Sequence, residues 1–252
     1  MSEIYFGDCF EEMKKIKDKS IKLVLLDLPY GQTSCEWDVC IDLQKMWDEF
    51  DRICDDRCQY LFFCSTKFGV SIINSRPKWF RTDYVFEKTH GVGFLNCNRA
   101  VLRKHEMIYH FSNPKFSKKT FNVIKTDNEI QGLQTRFRNP RSSKCVYGTL
   151  PTKRVGTKFY IGKYQTSIFK TSIGNNHSLH PTQKPLDVLE VLIKTFSNEE
   201  DFVLDITAGS GSVAHACINT NRKFICIESD WKYYNIMYNR LLVENIKKEI
   251  LD

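Results

Sequence analysis

Residues 22–32 read KLVLLDLPYGQ, an aliphatic run that stops abruptly at an acid followed by a proline and a glycine. The continuous apolar run from Leu23 to Leu26 predicts an interior strand of a parallel sheet, because such a strand is covered by helices on both faces. Pro29 and Gly31 predict an irregular turn directly after that strand. Open α/β sheets bind their ligands at the carboxyl ends of their strands, so this turn is a candidate site.

The composition is that of a globular protein. With 252 residues, of which 42% are hydrophobic, the chain can bury one large core and also carry an inserted region. No apolar run approaches the roughly 20 residues of a membrane-spanning helix, and the start MSEIYFGDCFEEMKK does not resemble a signal peptide. Ten cysteines would be a hazard in an oxidising compartment, so we expect a cytoplasmic protein with reduced thiols and no membrane contact.

Two pairs of cysteines, Cys35 with Cys40 and Cys54 with Cys58, raise the question of a zinc site. Zinc modules need a second pair of Cys or His residues at a regular spacing, and the sequence offers none. Cys54 also falls at the end of a predicted helix, where a reduced cysteine acts as a small core residue. We therefore predict no metal ion.

Positive charge is concentrated between Asn113 and Thr171. That segment contains thirteen Lys or Arg residues against two acids, whereas the whole chain has a net charge of +7. The rest of the chain is therefore net acidic. Eight aromatic residues lie among the basic ones, a mixture typical of phosphate contacts and base stacking. A solvated loop region is the plainer alternative.

Short apolar runs alternate with helical patterns at both ends of the chain, which indicates a mostly parallel α/β sheet with helices on both faces. The centre breaks this rhythm with Gly, Pro, Ser, Thr and Lys and weak periodicity. We therefore divide the chain into a main domain, residues 1–112 and 177–252, and an inserted lobe at 113–176 outside the sheet. Before the lobe we predict helices at Phe10–Ile16, Ile41–Cys54 and Phe68–Asn74 and strands at Ile21–Asp27, Tyr60–Cys64, Asp83–Glu87 and Glu106–Phe111.

The sequence after the lobe predicts a helix followed by a second strand-turn-helix unit. HPTQKPLDVLEVLIKTF places Pro185 at a helix start, with an apolar face on the residues that follow. DFVLDITAGSGSVAHACINTNRKFICIESD then predicts a strand, a glycine-rich turn, a helix and a further strand ending in Glu228. A helix from Trp231 closes the chain.

The turn at Gly209 and Gly211 predicts a cofactor that contains a nucleoside. Glycines let the backbone approach a ligand, the next helix offers free amides, and Glu228 suits a ribose diol. The same residues fit the dinucleotide fingerprint, so NAD is an alternative. Against NAD, only one helix follows Asp230, and Asp205 suits a cationic cofactor better than a pyrophosphate. A purely structural turn also remains open.

The residues after the first strand fit an exocyclic amino group as the reacting group. Asp27 and the neighbouring backbone carbonyls accept hydrogen bonds from an NH2 group, and Tyr30 offers a flat ring on which a base stacks. Such acceptors keep electron density on the nitrogen, and a positioned sulfonium methyl group would be the electrophile. The plainer alternative is a buried strand end with a core tyrosine.

Five motifs occur in one order along the chain: DLPYG followed by EWD, then NRAVLRKHEMIYHF, HPTQKP, DITAGSGS and the later Glu228. Together they resemble the amino-group DNA methyltransferases of the β arrangement, in which the catalytic motif comes first and the cofactor motif lies near the C-terminus. The resemblance covers nearly the whole chain outside Asn113 to Asn176. It implies a Rossmann-like methyltransferase sheet with an inserted basic lobe that recognises the DNA target.

The resemblance implies S-adenosylmethionine as the cofactor and double-stranded DNA as the substrate. Asp27 and the carbonyl of Leu28, beside Pro29, would accept from the target amino group, and Tyr30 would stack on the flipped base. Contacts to the cofactor are implied for Asp8, Lys184, Pro185, Asp205, Thr207, Ala208, Gly209, Ser210, Gly211 and Glu228. A helix cap is the alternative role of Asp8.

Contacts to DNA are predicted for basic side chains of the inserted lobe, namely Lys118, Lys119, Arg136, Arg138, Arg141, Lys144, Lys153 and Arg154. Relatives of this arrangement often pair, so a homodimer is compatible with the sequence. The resemblance also implies a bacterial, phage or viral origin and a link to restriction-modification.

In this family, aspartate at the first position of the catalytic motif usually accompanies methylation of adenine N6, so Asp27 implies an adenine-specific enzyme. Cytosine N4 and an RNA target remain alternatives, because a carboxylate accepts from any exocyclic amine. Leu28 stands where Pro is usual, and Thr207 stands where Phe is usual. These departures put rigidity and cofactor affinity in doubt, so a DNA-binding protein that has lost activity is a further alternative.

Overall fold

The computed structural model describes residues 2–29, 41–134, 144–145, 148–149, 158–171 and 184–251. The chain divides into a main unit, Met1–Asn122 with Thr166–Asp252, and an inserted unit, Val123–Gln165. The inserted unit lies within the predicted lobe at 113–176 but is narrower at both ends.

The described part of the main unit contains an eight-stranded sheet with helices on both faces. The strands in the described residues are β1 (Glu3–Phe6), β2 (Ile21–Leu26), β3 (Cys54–Cys64), β4 (Phe80–Val92), β5 (Arg103–Ser112), β6 (Lys125–Gln134), β7 (Lys144–Cys145), β8 (Gly148–Thr149), β9 (Lys158–Tyr164), β10 (Ile168–Lys170), β11 (Phe202–Asp205) and β12 (Lys223–Glu228). The α-helices are α1 (Cys9–Met13), α2 (Leu43–Ile53), α3 (Thr66–Ser75), α4 (Leu186–Phe196), α5 (Ser212–Asn219) and α6 (Trp231–Leu251).

The strands of the large sheet are ordered β1-β12-β11-β2-β3-β5-β4-β10. All neighbouring pairs are parallel except those of β5, which runs antiparallel to both β3 and β4. The prediction of a mostly parallel α/β sheet is therefore confirmed. The carboxyl ends of β2 and β11 lie side by side, because Leu204 of β11 is in register with Val24 of β2.

Strand β2 lies in the interior of the protein, as its apolar run predicts. Ile21, Val24 and Leu26 belong to a core cluster that includes residues of α1, α2 and α3. Leu23 and Leu25 belong to a second cluster with residues of α4, α5 and α6. Side chains along a strand alternate between its faces, so this division shows that helices cover both faces of the sheet.

Helix α2 illustrates how the sequence sets a local element. Asp42 caps it by accepting hydrogen bonds from the backbone N–H groups of Gln44 and Lys45, each at 3.0 Å. One face of the helix is an apolar stripe, formed by the buried residues Met46, Trp47, Phe50 and Ile53. The predicted helices at Ile41–Cys54 and Phe68–Asn74 and the helix after Pro185 are confirmed within a few residues.

Two strands of the sheet are absent from the sequence prediction. Strand β1 pairs in parallel with β12 at one edge, and β10 pairs in parallel with β4 at the other. β10 lies in the lobe that we expected to be outside the sheet, so that expectation is wrong for these residues. Each strand has only three or four residues, too few for a hydrophobic period to stand out.

The start of the predicted lobe also packs against the main unit. Asn122 donates from its backbone N–H to the Thr195 carbonyl at 2.8 Å and from Nδ2 to the Lys194 carbonyl at 2.9 Å. Gln59 Nε2 donates to the Thr120 carbonyl at 2.5 Å. In the inserted unit, β6 and β9 form an antiparallel pair, so its backbone is more regular than weak periodicity suggests.

The described helices include none that is long and apolar enough to cross a membrane. Cys54 and Cys58 are buried in the core, whereas Cys35 and Cys40 lie outside the described residues. Within the described ranges, no group of three or more His, Cys, Asp or Glu residues is placed to hold a metal ion.

We predict that Trp47→Ala strongly destabilises the protein. The Trp47 ring is buried among Phe50, Tyr60 and Phe62, and its Nε1–H donates to Ser75 Oγ at 2.9 Å. Truncating a buried tryptophan costs about 3–5 kcal/mol. Urea denaturation should show this loss, whereas Trp231→Ala, at an exposed position, should cost about 1 kcal/mol or less. Equal losses in the two variants would contradict the packing described here.

Candidate active site

A cleft of about 490 Å³ opens at the carboxyl ends of β2, β11 and β12. This volume is typical of a site for a small ligand or cofactor. Its walls come from the turn after β2, the turn after β11, the ends of β12 and β1, and the start of α2. The predicted site residues in its lining are Asp8, Asp27, Pro29, Lys184, Asp205, Thr207, Ala208, Gly209, Ser210 and Glu228.

The two turns that form the cleft are in direct contact, although 180 positions separate them in the sequence. Thr207 Oγ1 donates a hydrogen bond to the backbone carbonyl of Asp27 at 3.3 Å. The parallel pairing of β2 with β11 explains this contact, because both strands end at the same edge of the sheet. The structure therefore brings Asp27 and the glycine-rich turn together.

Asp27 belongs to a cluster of four charged side chains. Lys184 Nζ lies 2.5 Å from Asp27 Oδ2 and 3.1 Å from Glu106 Oε2, and Lys88 forms an ion pair with Glu106. The side chain of Lys184 is 10% exposed, whereas that of Asp27 is 26% exposed. The cation is therefore enclosed, while the carboxylate remains accessible from the cleft.

The cluster shifts the pKa of each of its members. Burial raises the pKa of the Asp27 carboxyl, and the charge of Lys184 opposes that rise. Burial would also raise the pKa of Glu106, but Lys184 and Lys88 bring it below its ordinary value. Burial alone would lower the pKa of Lys184, but Asp27 and Glu106 raise it, so the ammonium stays charged. Asp27 is thus a carboxylate with raised proton affinity, held beside a permanent cation.

These contacts bear on two residues of the motifs. Lys184, for which a contact to the cofactor is predicted, lines the cleft and also binds Asp27 through its ammonium, so its contact to the cofactor stays a prediction. Glu106, the first residue of a predicted strand, is not among the site residues predicted from the sequence. The structure places it beside Lys184, which is far away in the sequence. In the sequence, the feature that could have indicated Glu106 is the position of an acid directly before the apolar run Met107 to Phe111.

The turn after β11 is shaped by two carboxylates. Asp205 accepts from the backbone N–H of Thr207 at 3.1 Å. Glu228 accepts from the N–H of Gly209 at 2.7 Å through Oε2 and from the N–H of Asp230 at 2.8 Å through Oε1. Gly209 has φ +54°, a left-handed conformation that glycine adopts readily. These bonds fix the turn that lines one side of the cleft.

Gly211 is required for packing and for its backbone conformation. It has φ +75°, and a Cβ added there would lie 2.6 Å from Met237 Cγ of α6. Gly211 is not among the residues that line the cleft. Its position supports a structural reason for this glycine, whereas Gly209 faces the cleft, so the two glycines of the motif differ in role.

The cleft favours a positively charged ligand. Burial raises the pKa of Asp205 to about 8, and the negative charges of Glu228 and Asp27 add to the rise. Burial also raises the pKa of Glu228. A cation placed among these three side chains would favour their ionised forms, whereas a pyrophosphate would add further negative charge beside them. This electrostatic pattern speaks against the NAD alternative.

Asp8 caps a helix and lines the cleft. Its side chain accepts from the backbone N–H groups of Phe10 at 2.9 Å and Glu11 at 3.2 Å, which caps α1. It also lines the cleft, next to Gly7 and Cys9. A contact to a cofactor at Asp8 therefore stays a prediction.

The remaining predicted residues of the motifs lie around the cleft or outside the described ranges. Leu28 is buried, and Pro185 is the N-cap residue of α4, so neither side chain forms part of the lining. Tyr30 lies outside the described residues, as do Arg136, Arg138, Arg141, Lys153 and Arg154. Lys144 lies in β7 of the inserted unit.

Lys119 lies near the end of β5 that is remote from the cleft. Its Nζ donates to Ser112 Oγ at 2.6 Å, and Ser112 is in register with Gln59. The cleft is at the other end of β5, where Met107 is opposite Cys64. At about 3.4 Å per residue, these ends are roughly 17 Å apart. Lys119 therefore lies away from the cleft, and its contact to DNA, like that of Lys118, stays a prediction.

Comparisons with known proteins agree on one group of enzymes. A family model described as DNA methylase (N6_N4_Mtase) matches residues 21–239. The Type II methyltransferase M.HindIII of Haemophilus influenzae is 40% identical over 297 aligned positions, covering 96% of this chain and 95% of the relative. The Type II methyltransferase M1.MboII of Moraxella bovis is 24% identical, covering 93% of this chain and 94% of the relative.

Two solved structures share the fold. The M1.HpyAVI–SAM complex has a TM-score of 0.64 at 22% identity, covering 96% of this chain and 99% of that chain. The cytosine-N4-specific PvuII DNA methyltransferase has a TM-score of 0.63 at 13% identity, covering 95% of this chain and 86% of that chain. The Rossmann-like architecture expected from the sequence is therefore confirmed.

We predict that Lys184→Met destabilises the protein by about 3 kcal/mol or less, because it leaves two partly buried carboxylates without their shared cation. Adding Glu106→Gln to that variant removes one of the two charges, so the double variant should regain part of the loss. Urea denaturation of the single and double variants measures both effects. If the double variant is no more stable than Lys184→Met, the two residues are not coupled as the distances indicate.

We predict that Asp205 makes stability depend on pH. Its pKa is about 8 in the folded protein, against an ordinary value of 3.8. Between these pH values the folded state holds a proton that the unfolded state has released, so the free energy of unfolding falls as pH rises from about 4 to about 8. Asp205→Asn removes this titration and should flatten the curve.

The control for this experiment is Asp48→Asn, at an exposed position on α2. It should keep the wild-type slope when urea denaturation is measured at about pH 5 and about pH 8. A slope in Asp205→Asn as steep as that of the wild type would contradict the raised pKa.

Proposed function

The chain belongs to the DNA methylase family of N6/N4 amino-methyltransferases, and from this premise we propose that it methylates adenine N6 at a specific sequence in duplex DNA. The observation that carries the proposal is the contact of the Asp27 turn with the glycine-rich turn in one cleft. A methyl acceptor and a methyl donor must meet within van der Waals distance, and this cleft offers a place for each.

The cofactor of this family is S-adenosylmethionine, which supplies a methyl group on a positively charged sulfur. The cleft has a suitable volume, and its carboxylates favour a cation. In our proposal Glu228 accepts from the ribose hydroxyls and Asp205 lies near the positive groups of the methionine part. Gly209 and its neighbours form the wall of the site, and Asp8 lies at the adenine end.

Asp27 is the proposed acceptor for the target amino group. Lys184 occupies Oδ2, which leaves Oδ1 to accept from the exocyclic N–H. A nitrogen that takes the methyl group would gain positive charge as the C–S bond breaks and the cofactor sulfur becomes a neutral thioether, and the Asp27 carboxylate would stabilise that charge and receive the proton. A raised pKa suits this role, because it increases the proton affinity of Asp27.

Lys184 and Glu106 position Asp27 in this proposal. The ion pair fixes the orientation of the carboxylate, and the charge of Lys184 opposes the rise in the Asp27 pKa that burial causes. The carbonyl of Leu28 would be the second acceptor, and Tyr30 would stack on the base, as the resemblance implies. A stacked base cannot reach this cleft, so the target must leave the duplex, at a cost of a few kcal/mol.

Recognition of the DNA sequence is proposed for the inserted unit. Its segment of the sequence, residues 123–165, has nine Lys or Arg residues against two acids, and this local excess of positive charge favours contacts with phosphates. Five of the predicted basic residues fall in this segment outside the described ranges, and Lys144 falls in β7. Their contacts to DNA remain proposals.

Cytosine N4 is the second candidate target. A carboxylate accepts from either exocyclic amine, and a structure of the same fold is named as cytosine-N4-specific. Adenine is preferred because Asp27 stands at the first position of the catalytic motif. The relatives come from bacteria and phage and include Type II methyltransferases, so we propose a role in restriction-modification in a bacterial or phage-infected cell. A homodimer also stays a proposal.

The product of the reaction tests the proposal. The protein is incubated with methyl-labelled S-adenosylmethionine and genomic DNA from a strain without methyltransferases, and the DNA is digested to nucleosides. N6-methyladenine supports the first candidate, and N4-methylcytosine supports the second. Cofactor binding without any methylated product would indicate a protein that has lost activity. Single-molecule sequencing of the product DNA then maps the target sequence.

We predict that Asp27→Asn lowers the rate of methylation by about 100-fold or more, because an amide is a far weaker proton acceptor than a carboxylate. Binding of S-adenosylmethionine, measured by calorimetry, should change much less. Asp48→Asn, at an exposed position, is the control and should keep full activity. Undiminished methylation by Asp27→Asn would remove this residue from the reaction.

A further inference from the structure

The connection between β4 and β5 carries a group of exposed apolar side chains. We call residues 92–102 the hairpin tip. Phe94 is 75% exposed, Leu95 98% and Val101 96%, and Val92 and Leu102 are exposed as well. Scattered apolar residues are normal on a surface, but five within one short connection mark a binding site or an interface.

The hairpin tip rises from the edge of the sheet that carries the cleft. β3 ends at Cys64, opposite Met107, whereas β4 and β5 continue beyond this level to Val92 and Arg103. Four residues from Met107 to Arg103 span roughly 14 Å at about 3.4 Å per residue. Asp27 follows Leu26 of β2, which pairs with Phe62 of β3 two residues before Cys64. The tip therefore extends past the level of Asp27, on the same side of the sheet.

A chain of contacts links the hairpin to the cleft. Glu106 of β5 lies four residues from Leu102, where the hairpin tip ends, and it binds Lys184, which binds Asp27. The hairpin also has a defined shape. Gly91 packs so closely on Leu102 that an added Cβ would lie 2.8 Å from Leu102 Cβ. Gly93 turns the chain with φ +92°, which favours glycine.

Positive charge surrounds the apolar side chains. The sequence from Lys88 to His105 contains four basic residues and no acid. Arg99, Arg103 and Lys104 are exposed. The acids next to this stretch are already paired, since Glu87 binds Lys104 and Lys170, and Glu106 binds Lys88 and Lys184. An apolar tip with a basic flank complements a DNA duplex, which has a stacked interior and an anionic backbone.

We propose that the hairpin tip is a wedge that enters the DNA duplex beside the target base, with Phe94, Leu95 and Val101 occupying the space that the flipped base leaves. Apolar side chains inserted between bases are a general means of opening the stack. Arg99 contacts a phosphate at the rim of the same gap. This inference rests on the proposed function and adds the element that drives the base out of the helix.

A second copy of this chain is the other partner that an exposed apolar group suits. The basic flank argues against it, because two copies meeting at this surface would bring like charges together. The position of the tip past the level of Asp27 argues in the same direction, since a duplex presenting a base to the cleft passes in front of this edge.

The test compares two substrates. One is a 25-base-pair duplex that carries the target sequence mapped from the product DNA, and the other is the same duplex with an abasic site opposite the target base. The variant is Phe94→Ser with Leu95→Ser, and Val243→Ser, at an exposed position on α6, is the control. We expect the double variant to lose about tenfold or more in kcat/KM on the paired duplex. On the abasic duplex, whose target base is already unpaired, the loss should be less than about threefold.

Several results would overturn the wedge. An equal loss on both duplexes would show a general effect on the fold or on binding, and no loss on the paired duplex would show that the tip is not used. A change from dimer to monomer in sedimentation, with an unchanged ratio of the two activities, would assign the tip to a second copy. Val243→Ser should behave as the wild type throughout.

A binding measurement separates the wedge from the proposed function. Fluorescence anisotropy with a fluorescein-labelled duplex reports affinity without turnover. If the wild-type protein methylates neither duplex, the proposed function fails, and wild-type affinity in the double variant then overturns the wedge as well. Arg99→Gln should reduce the slope of log Kd against log salt by about one, as expected for one lost phosphate contact. An unchanged slope would exclude that contact.

Discussion

The parallel pairing of β2 with β11 is the constraint on which the site depends. It places the ends of two strands at one edge of the sheet, so the Asp27 turn and the glycine-rich turn meet although the chain between them is 180 residues long. A hydrogen bond from Thr207 to the Asp27 carbonyl fixes their spacing. If β11 were inserted elsewhere in the sheet, the same motifs would be present in the sequence, but the acceptor and the donor sites would no longer share a cleft.

In the main unit, the charge of the cleft differs from the charge of its surroundings, and the two suit different partners. Asp27, Asp205 and Glu228 make the cleft acidic, which suits a cationic cofactor and an amino group that gains positive charge. The same charges repel a polyanionic substrate. Attraction to DNA must therefore come from outside the cleft, and at physiological salt it acts over a range of about 8–10 Å. The basic stretch from Lys88 to His105 lies close enough to the edge of the sheet for that purpose.

The parts that the sequence predicted well are those specified by local patterns. β2, α2 and α4 carry apolar runs or stripes that only one element type can bury, and the glycine-rich turn follows a strand at a recognisable spacing. β1 and β10 escaped prediction because short edge strands are defined by the neighbour that they join. Glu106 was not predicted for a similar reason. Its carboxylate pairs with Lys184, a residue that only the folded protein brings near.

Leu28 and Thr207, the two residues that depart from the family pattern, lie in the two turns that contact each other. A proline in place of Leu28 would restrict the backbone through its ring, but Leu28 is 2% exposed in the core cluster that contains Val24 and Leu26, so packing holds it in place. Pro29 further restricts the conformation of the residue before it. Thr207, in place of an aromatic ring, supplies the hydroxyl that binds the Asp27 carbonyl. Burial and one hydrogen bond thus fix this turn by other means, so these substitutions are no reason to expect an inactive site.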